Sequence, residues 1–240
     1  MGTHSMKLKS KFYSKSVYTL ITLLCVLSCD NSSNFTPNKG TESLHYSITH
    51  IDKEKKTTNY KQTYQILENN KGNVRLLRND GKLINYTKTE NALVLNDVDY
   101  IFEGLIDLPK EKLEYEEKNV VLKFPLKKDE SWTTNDLTTL IMKMGYDRIF
   151  QTLLPIEIKN VVSEVSDTVK VKGKVYKNCI KIEGEGNTSY NPGPPLDNIN
   201  IKVKTTQWFY PGIGLIKMKR EEHSDSETMG SIYYEKLINF

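Results

Sequence analysis

The chain has 240 residues, 38% apolar and 27% charged, which is enough for one domain with an ordinary core and too polar overall for an integral membrane protein. Its formal charge of +4 comes from 34 basic against 30 acidic side chains, but Lys7, Lys9, Lys11 and Lys15 precede residue 29 and no acid does. The remainder is therefore balanced at 30 against 30, which does not support a basic surface built for nucleic acid, and three cysteines are too few for a disulfide framework.

In chain order, a lysine-rich stretch is followed by an uncharged run from Val17 to Leu27 and then Ser28-Cys29. Eleven residues of helix rise roughly 16 Å, about half of a hydrocarbon core, so the run suits a signal-peptide segment better than a membrane span. Val26-Leu27-Ser28-Cys29 resembles the bacterial lipobox, with an aliphatic residue three before the cysteine and a small one just before it. The resemblance implies cleavage before Cys29, a thioether-linked diacylglycerol on its sulfur and an acylated amine. Residues 1–28 are then a lipoprotein signal peptide, and the expected location is the bacterial cell envelope, membrane-anchored and outside the cytoplasm. Residues 29–43 hold one large apolar residue, Phe35, among Ser, Asn, Thr, Pro and Gly, a composition that reads as a lipidated tether.

The folded domain is expected over 44–240, and its period is nearer two than 3.6. Leu44, Tyr46, Ile48 and His50 alternate, as do Tyr60, Gln62, Tyr64 and Ile66, and Ile84 and Tyr86 oppose Leu83, Asn85 and Thr87. Turn signals at 68–73, 78–81, 90–91 and Asn96-Asp97 separate the strands, with Asp80-Gly81 the strongest because mirror-image hairpin turns need positive φ. Between Thr133 and Leu154 the pattern changes: Leu137, Leu140, Ile141, Met144, Ile149, Phe150, Leu153 and Leu154 recur at helical spacing, with Thr134 or Asn135 as cap and Pro155 as stop. One amphipathic helix is predicted there. Strands resume over 156–164, 168–172, 175–183, 199–208, 215–222 and 231–240, around a loop at 187–198. The expected fold class is mainly β (α+β), a curved antiparallel sheet or half-barrel with that helix packed on it.

Three segments of the second half carry a further resemblance: Phe124-Pro125-Leu126-Lys127-Lys128-Asp129-Glu130-Ser131-Trp132, the stretch Val169 to Ile182, and Trp208-Phe209-Tyr210-Pro211-Gly212-Ile213-Gly214-Leu215-Ile216-Lys217. In this order they resemble an uncharacterised bacterial lipoprotein family over roughly residues 120–220. The chain departs from the pattern at Asp129, where Gly is usual, and by one residue between Gly173 and Tyr176. The resemblance implies an envelope location and a β-rich fold, and supplies no catalytic residues.

Chemistry is sparse. No Gly-x-Ser-x-Gly elbow, no His-Glu-x-x-His, no paired cysteines and no phosphate cradle occur, so no catalytic residue, metal or cofactor is expected. His45 and His50 are an odd number apart and face opposite sides of a strand. Asp97 and Asp99 share a face and read as a solvated edge, and Cys179 between aliphatics reads as an inert buried thiol. Tyr46, Tyr60, Tyr64 and Tyr86 either line a pocket or sit half-buried with wet hydroxyls. The leading expectation is a lipid-anchored, non-enzymatic envelope protein binding an apolar ligand, with Leu137, Ile141, Met144 and Phe150 lining the pocket, or an envelope partner. The alternatives are an envelope hydrolase, with Glu183, Glu185 and His223 as its acid-base groups, and a structural surface lipoprotein without a pocket.

Overall fold

The computed structural model describes residues 35–38, 40–70, 72–100, 119–144, 148–194, 197–225 and 231–239; the leader and Cys29 lie outside them. Among the described residues twelve strands form one antiparallel sheet in two six-stranded meanders. The first comprises β1 (Ser43–Ile51), β2 (Thr57–Asn69), β3 (Asn73–Arg78), β4 (Lys82–Lys88), β5 (Ala92–Tyr100) and β6 (Asn119–Lys123). The second comprises β7 (Ser131–Met144), β8 (Arg148–Val171), β9 (Lys174–Tyr190), β10 (Ile199–Tyr210), β11 (Gly214–Ser224) and β12 (Ser231–Asn239). β1 pairs with β12, so the sheet runs from β6 through β1 and β12 to β7.

The two outer strands of that order, β6 and β7, then meet. Asn119 on β6 is 3% exposed. Its Nδ2 donates to the Asn135 carbonyl at 2.7 Å and its Oδ1 accepts from the Asn135 N–H at 2.9 Å. A side-chain amide has the same donor and acceptor as a peptide group, so Asn119 supplies by side chain what a ladder supplies by backbone. Thr134 Oγ1 adds a bond to the Val120 carbonyl at 2.8 Å and accepts one from Asn160 Nδ2, also at 2.8 Å. This seam makes the sheet nearly closed and barrel-like, which removes most of the exposed edge that an open sheet presents.

No α-helix occurs among the described residues, which corrects the predicted amphipathic helix. Residues 131–144 are β7 and 148–171 are β8, paired from Ser131↔Val161 to Met144↔Arg148. Leu137, Ile141 and Met144 therefore lie on β7 and Phe150 on β8, and the shared helical face expected of them does not exist. The segment is dense in Thr133, Thr134, Thr138, Thr139, Ile141, Ile149 and Thr152, whose branched Cβ atoms favour the pleated sheet. Pro155, expected to stop a helix, sits inside β8 opposite Leu137. It is tolerated because β8 gains its second partner, β9, only from Lys159 onward, so the missing N–H falls where no ladder needs it. The Asn96-Asp97 turn signal falls within β5: Asn85 pairs with Asp97 and Tyr86 with Leu95, leaving Asn96 as the extra residue of a bulge.

Packing is divided among three apolar clusters. One gathers Leu93, Leu122, Phe124, Trp132, Val162, Ile180, Ile182 and Phe209 across the seam. Another joins Leu140, Leu154, Ile156 and Ile158 to Ile199, Ile201 and Val203. The third centres on Tyr46, Ile48, Ile216, Ile238, Tyr176, Cys179 and Trp208. The Trp208–Lys217 motif forms the end of β10, a turn and the start of β11. Residues 35–38, expected to belong to the tether, pack on that turn: the Asn38 N–H donates to the Gly212 carbonyl at 2.8 Å and Asn69 Nδ2 to the Pro37 carbonyl at 2.7 Å. Gly212 has φ +76°, and a Cβ there would lie 2.8 Å from the Asn38 side chain, so both conformation and space require glycine.

Candidate functional site

β12 alternates Ile232, Tyr234, Lys236 and Ile238 on one side, and the register sets Lys236 opposite Ile48 of β1 and Met218 of β11. Lys236 is only 8% exposed. Its Nζ lies 4.3 Å from the ring centroids of both Tyr46 and Tyr64 and donates to the Tyr64 hydroxyl at 2.7 Å. The rings meet edge to face at 5.7 Å. Burial, helped by the Arg78 charge, pushes the ammonium pKa down to about 7. Burial also raises the phenol pKa values of Tyr46, Tyr64 and Tyr86. The Tyr46 hydroxyl donates to the Leu215 carbonyl at 2.8 Å, so it is not a wet hydroxyl on a half-buried strand. Tyr60 is the exception of the alternating set, 46% exposed.

A second charged group spans from β11 to β7, which are not neighbours in the sheet. Arg220 donates from Nη1 to Asp136 Oδ2 at 2.5 Å, from Nη2 to the Leu137 carbonyl at 2.8 Å and from Nε to Glu222 Oε1 at 2.6 Å. Thr138, buried on β7, donates to the other Glu222 oxygen at 2.7 Å. Burial works against the guanidinium charge, but Asp136 and Glu222 outweigh it and raise the pKa. Every bond Glu222 and Arg220 make here is charge-assisted, so the network ties the two strands with one guanidinium held between two carboxylates.

Two concavities stand out among the described residues. The larger, about 600 Å3, opens at the sheet end opposite the β10–β11 turn and is lined by Asn187, Thr188 and Ser189 of β9, Asn200, Ile201 and Lys202 of β10, and His223, Ser224 and Asp225 at the end of β11. The Asp225 carboxylate accepts from the Asn200 N–H at 2.8 Å and from its Nδ2 at 2.6 Å, which holds the carboxyl pKa below the usual range and fixes one wall. The smaller, about 380 Å3, lies over Ser43, Thr63, Gln65 and Leu77 near the Asn79–Gly81 turn.

The expected acid-base groups are not brought together. Glu183 bonds Lys181 at 2.8 Å and Glu185 pairs with Lys202, and both carboxyl pKa values are held down by those lysines. A carboxylate pair sharing a proton would push one value up instead. His223 lies 3.9 Å from Glu221 and in the row beside Lys202, two rows beyond Glu185 and across β10 from it. His45 places its ring nitrogens 3.0 and 3.1 Å from the Ser43 and Thr63 hydroxyls. Asp97 bonds Asn85 on the neighbouring strand. Cys179 is fully buried, its Sγ 3.6 Å from the Tyr176 carbonyl, and burial pushes the thiol up to about 11. Among the described residues no group of three His, Cys, Asp or Glu is arranged to hold a metal.

Sequence reasoning missed Lys236, Arg220, Asp136 and Glu222. Each sits in a strand with charges of both parities, Glu235 next to Lys236 and Glu221 between Arg220 and Glu222, so alternation does not say which charge is inside.

No family model and no curated protein matches the chain. Among solved structures it is similar to a presumed exported protein with a YmcC-like fold from Bacteroides fragilis, at 14% identity and TM-score 0.40 over 87% of this chain and 100% of that one. It is similar also to a presumed lipoprotein from Parabacteroides distasonis, at 12% identity and TM-score 0.40 over 86% of this chain and 97% of that one. Both are distant likenesses.

Proposed function

We propose that the chain is a lipoprotein of a bacterial cell envelope, held to a membrane through lipid on Cys29, and that it works by binding a polar envelope partner at the rim groove, without catalysis. The leader supports the address: lysine-rich stretch, short apolar run and lipobox-like cysteine follow one another in the order that secretion and lipidation need. The observation that carries the binding role is the groove itself. Its volume is that of a ligand site, and its amides, hydroxyls, Lys202 and His223 converge from three strand ends. An apolar ligand suits the barrel less well, because Lys236 and the Arg220 group occupy buried positions and no described helix covers the sheet.

Photocrosslinking side chains at Thr188 and at Thr168, an exposed position on β8 away from the groove, test this in intact cells. A discrete adduct at 188 and none at 168 is expected. Equal yields at the two positions refute the groove as the binding surface.

A further inference from the structure

Antiparallel pairing puts the β10–β11 turn, the β2–β3 and β4–β5 turns and the β8–β9 turn at one end of the sheet, opposite the groove. Residues 35–38 dock at this end, on Gly212 and Asn69. Only five residues lie between Cys29 and Phe35, and the six steps from one to the other, fully extended, reach at most about 22 Å. The β8–β9 turn is a two-residue hairpin with positive φ at Lys172 and Gly173. Around it stand Lys170, Lys172, Lys174 and Lys177, all exposed, with no acid between them. Val175, in their midst, is 53% exposed, an apolar side chain presented where a soluble hairpin tip would carry a polar one. The hairpin is held in place by Tyr176 against Tyr210, with ring centroids 5.2 Å apart, by Lys172 Nζ on Ser47 and on Asn239 at 3.3 Å, and by Trp208 Nε1 donating to Asp167 at 2.8 Å. The nearest acids of the hairpin stem are engaged, Glu164 by Lys128 at 3.5 Å and Asp167 by Trp208.

We infer that this end of the barrel rests on the membrane leaflet that holds the anchor, with the Lys170–Lys177 tip against anionic phospholipid headgroups and the rim groove turned away from the bilayer. The inference rests on lipidation of Cys29. The docked residues leave the tether too short to let the barrel tumble freely. The stems of Lys170, Lys174 and Lys177 reach the headgroup layer, with Lys172 kept on Ser47 and Asn239, while Val175 meets its apolar edge. A partner in the groove is then met on the side away from the membrane.

The test uses the full chain, lipidated in its host and reconstituted in phosphatidylethanolamine vesicles with or without phosphatidylglycerol. A fluorophore is placed by Val175→Cys at the tip or by Glu54→Cys in the β1–β2 loop, and phospholipids carrying a headgroup nitroxide quench it. Cys179 is fully buried and does not compete for label. Quenching several-fold stronger at 175 than at 54 is expected, falling several-fold when phosphatidylglycerol is omitted or when Lys170, Lys174 and Lys177 are changed to Gln. Equal quenching at both positions, or stronger quenching at 54, overturns the orientation. A tip signal indifferent to phosphatidylglycerol overturns the headgroup contact. Palmitate incorporation, followed on the same preparations, separates these outcomes from failure of the anchor: an unlabelled wild-type chain removes the premise itself.

Discussion

Replacing Lys236 by Met perturbs the most costly charge among the described residues. In the unfolded chain the ammonium titrates at its ordinary value of 10.5, and in the barrel burial brings it down to about 7. At 1.36 kcal/mol per pH unit this difference corresponds to about 5 kcal/mol against the folded state when the amine is charged. The two tyrosine rings at 4.3 Å return ~1 to 2 kcal/mol each at a desolvated site, which leaves a net effect of about 1 to 3 kcal/mol. The sign follows from proton counts. Below the folded value both states hold the proton and the cost is fully present; between the folded and unfolded values only the unfolded chain holds it, so stability rises with pH. Above about pH 10 the direction reverses, because tyrosines in the unfolded chain ionise there while burial keeps Tyr46, Tyr64 and Tyr86 protonated. Urea unfolding of wild type and Lys236→Met at about pH 6 and about pH 9 isolates the lysine, since other groups titrate alike in both proteins. The variant should be the more stable at the lower pH, with the gap narrowing at the higher by up to about 3 kcal/mol and vanishing only once the unfolded amine also loses its proton. A gap that stays constant or widens with pH would refute the argument that Lys236 is a charge buried at a cost.

Asn119 carries two hydrogen bonds of the seam beside the one from Thr134, so Asn119→Ala, which leaves the N–H and carbonyl of half-buried Asn135 without those partners, should lower stability by about 1 to 3 kcal/mol in urea unfolding. Arg220→Met leaves Asp136 and Glu222 without their cation and should cost about 3 to 5 kcal/mol, whereas Met at 220 combined with Asn at 136 and Gln at 222 should recover much of it. Calorimetry of both variants distinguishes a buried charge network from a surface one, for which the single change would cost under about 1 kcal/mol. Cys179 should react with a thiol reagent only at the rate of unfolding, because the thiol is fully buried and raised to about 11; fast reaction of the native protein contradicts the placement.

Strands were legible wherever one side of the chain is apolar. The alternation from Leu44 to Ile48 and the Asp80-Gly81 turn led directly to β1 and to the β3–β4 hairpin. The segment from Thr133 to Leu154 misled because its apolar residues repeat at a spacing compatible with a helix, while its density of Thr and Ile, a weaker signal, pointed to the sheet. Asn96-Asp97 has turn chemistry, and a bulge uses the same local freedom without ending the strand. The docked residues 35–38 were invisible in composition, since backbone-directed hydrogen bonds such as those to Gly212 and from Asn69 and the ring of Phe35 hold them, and none of these has a pattern. The rim groove is similarly silent: Asn187, Asn200 and Asp225 come together only because β9, β10 and β11 end in register.

Intact mass spectrometry of the detergent-extracted protein from its host tests the address and the anchor at once. The account predicts a chain that begins at Cys29 and carries the added mass of a diacylglycerol and an N-acyl group, lost in Cys29→Ala. A chain that retains residues 1–28, or one that begins at Cys29 with no added mass, contradicts it.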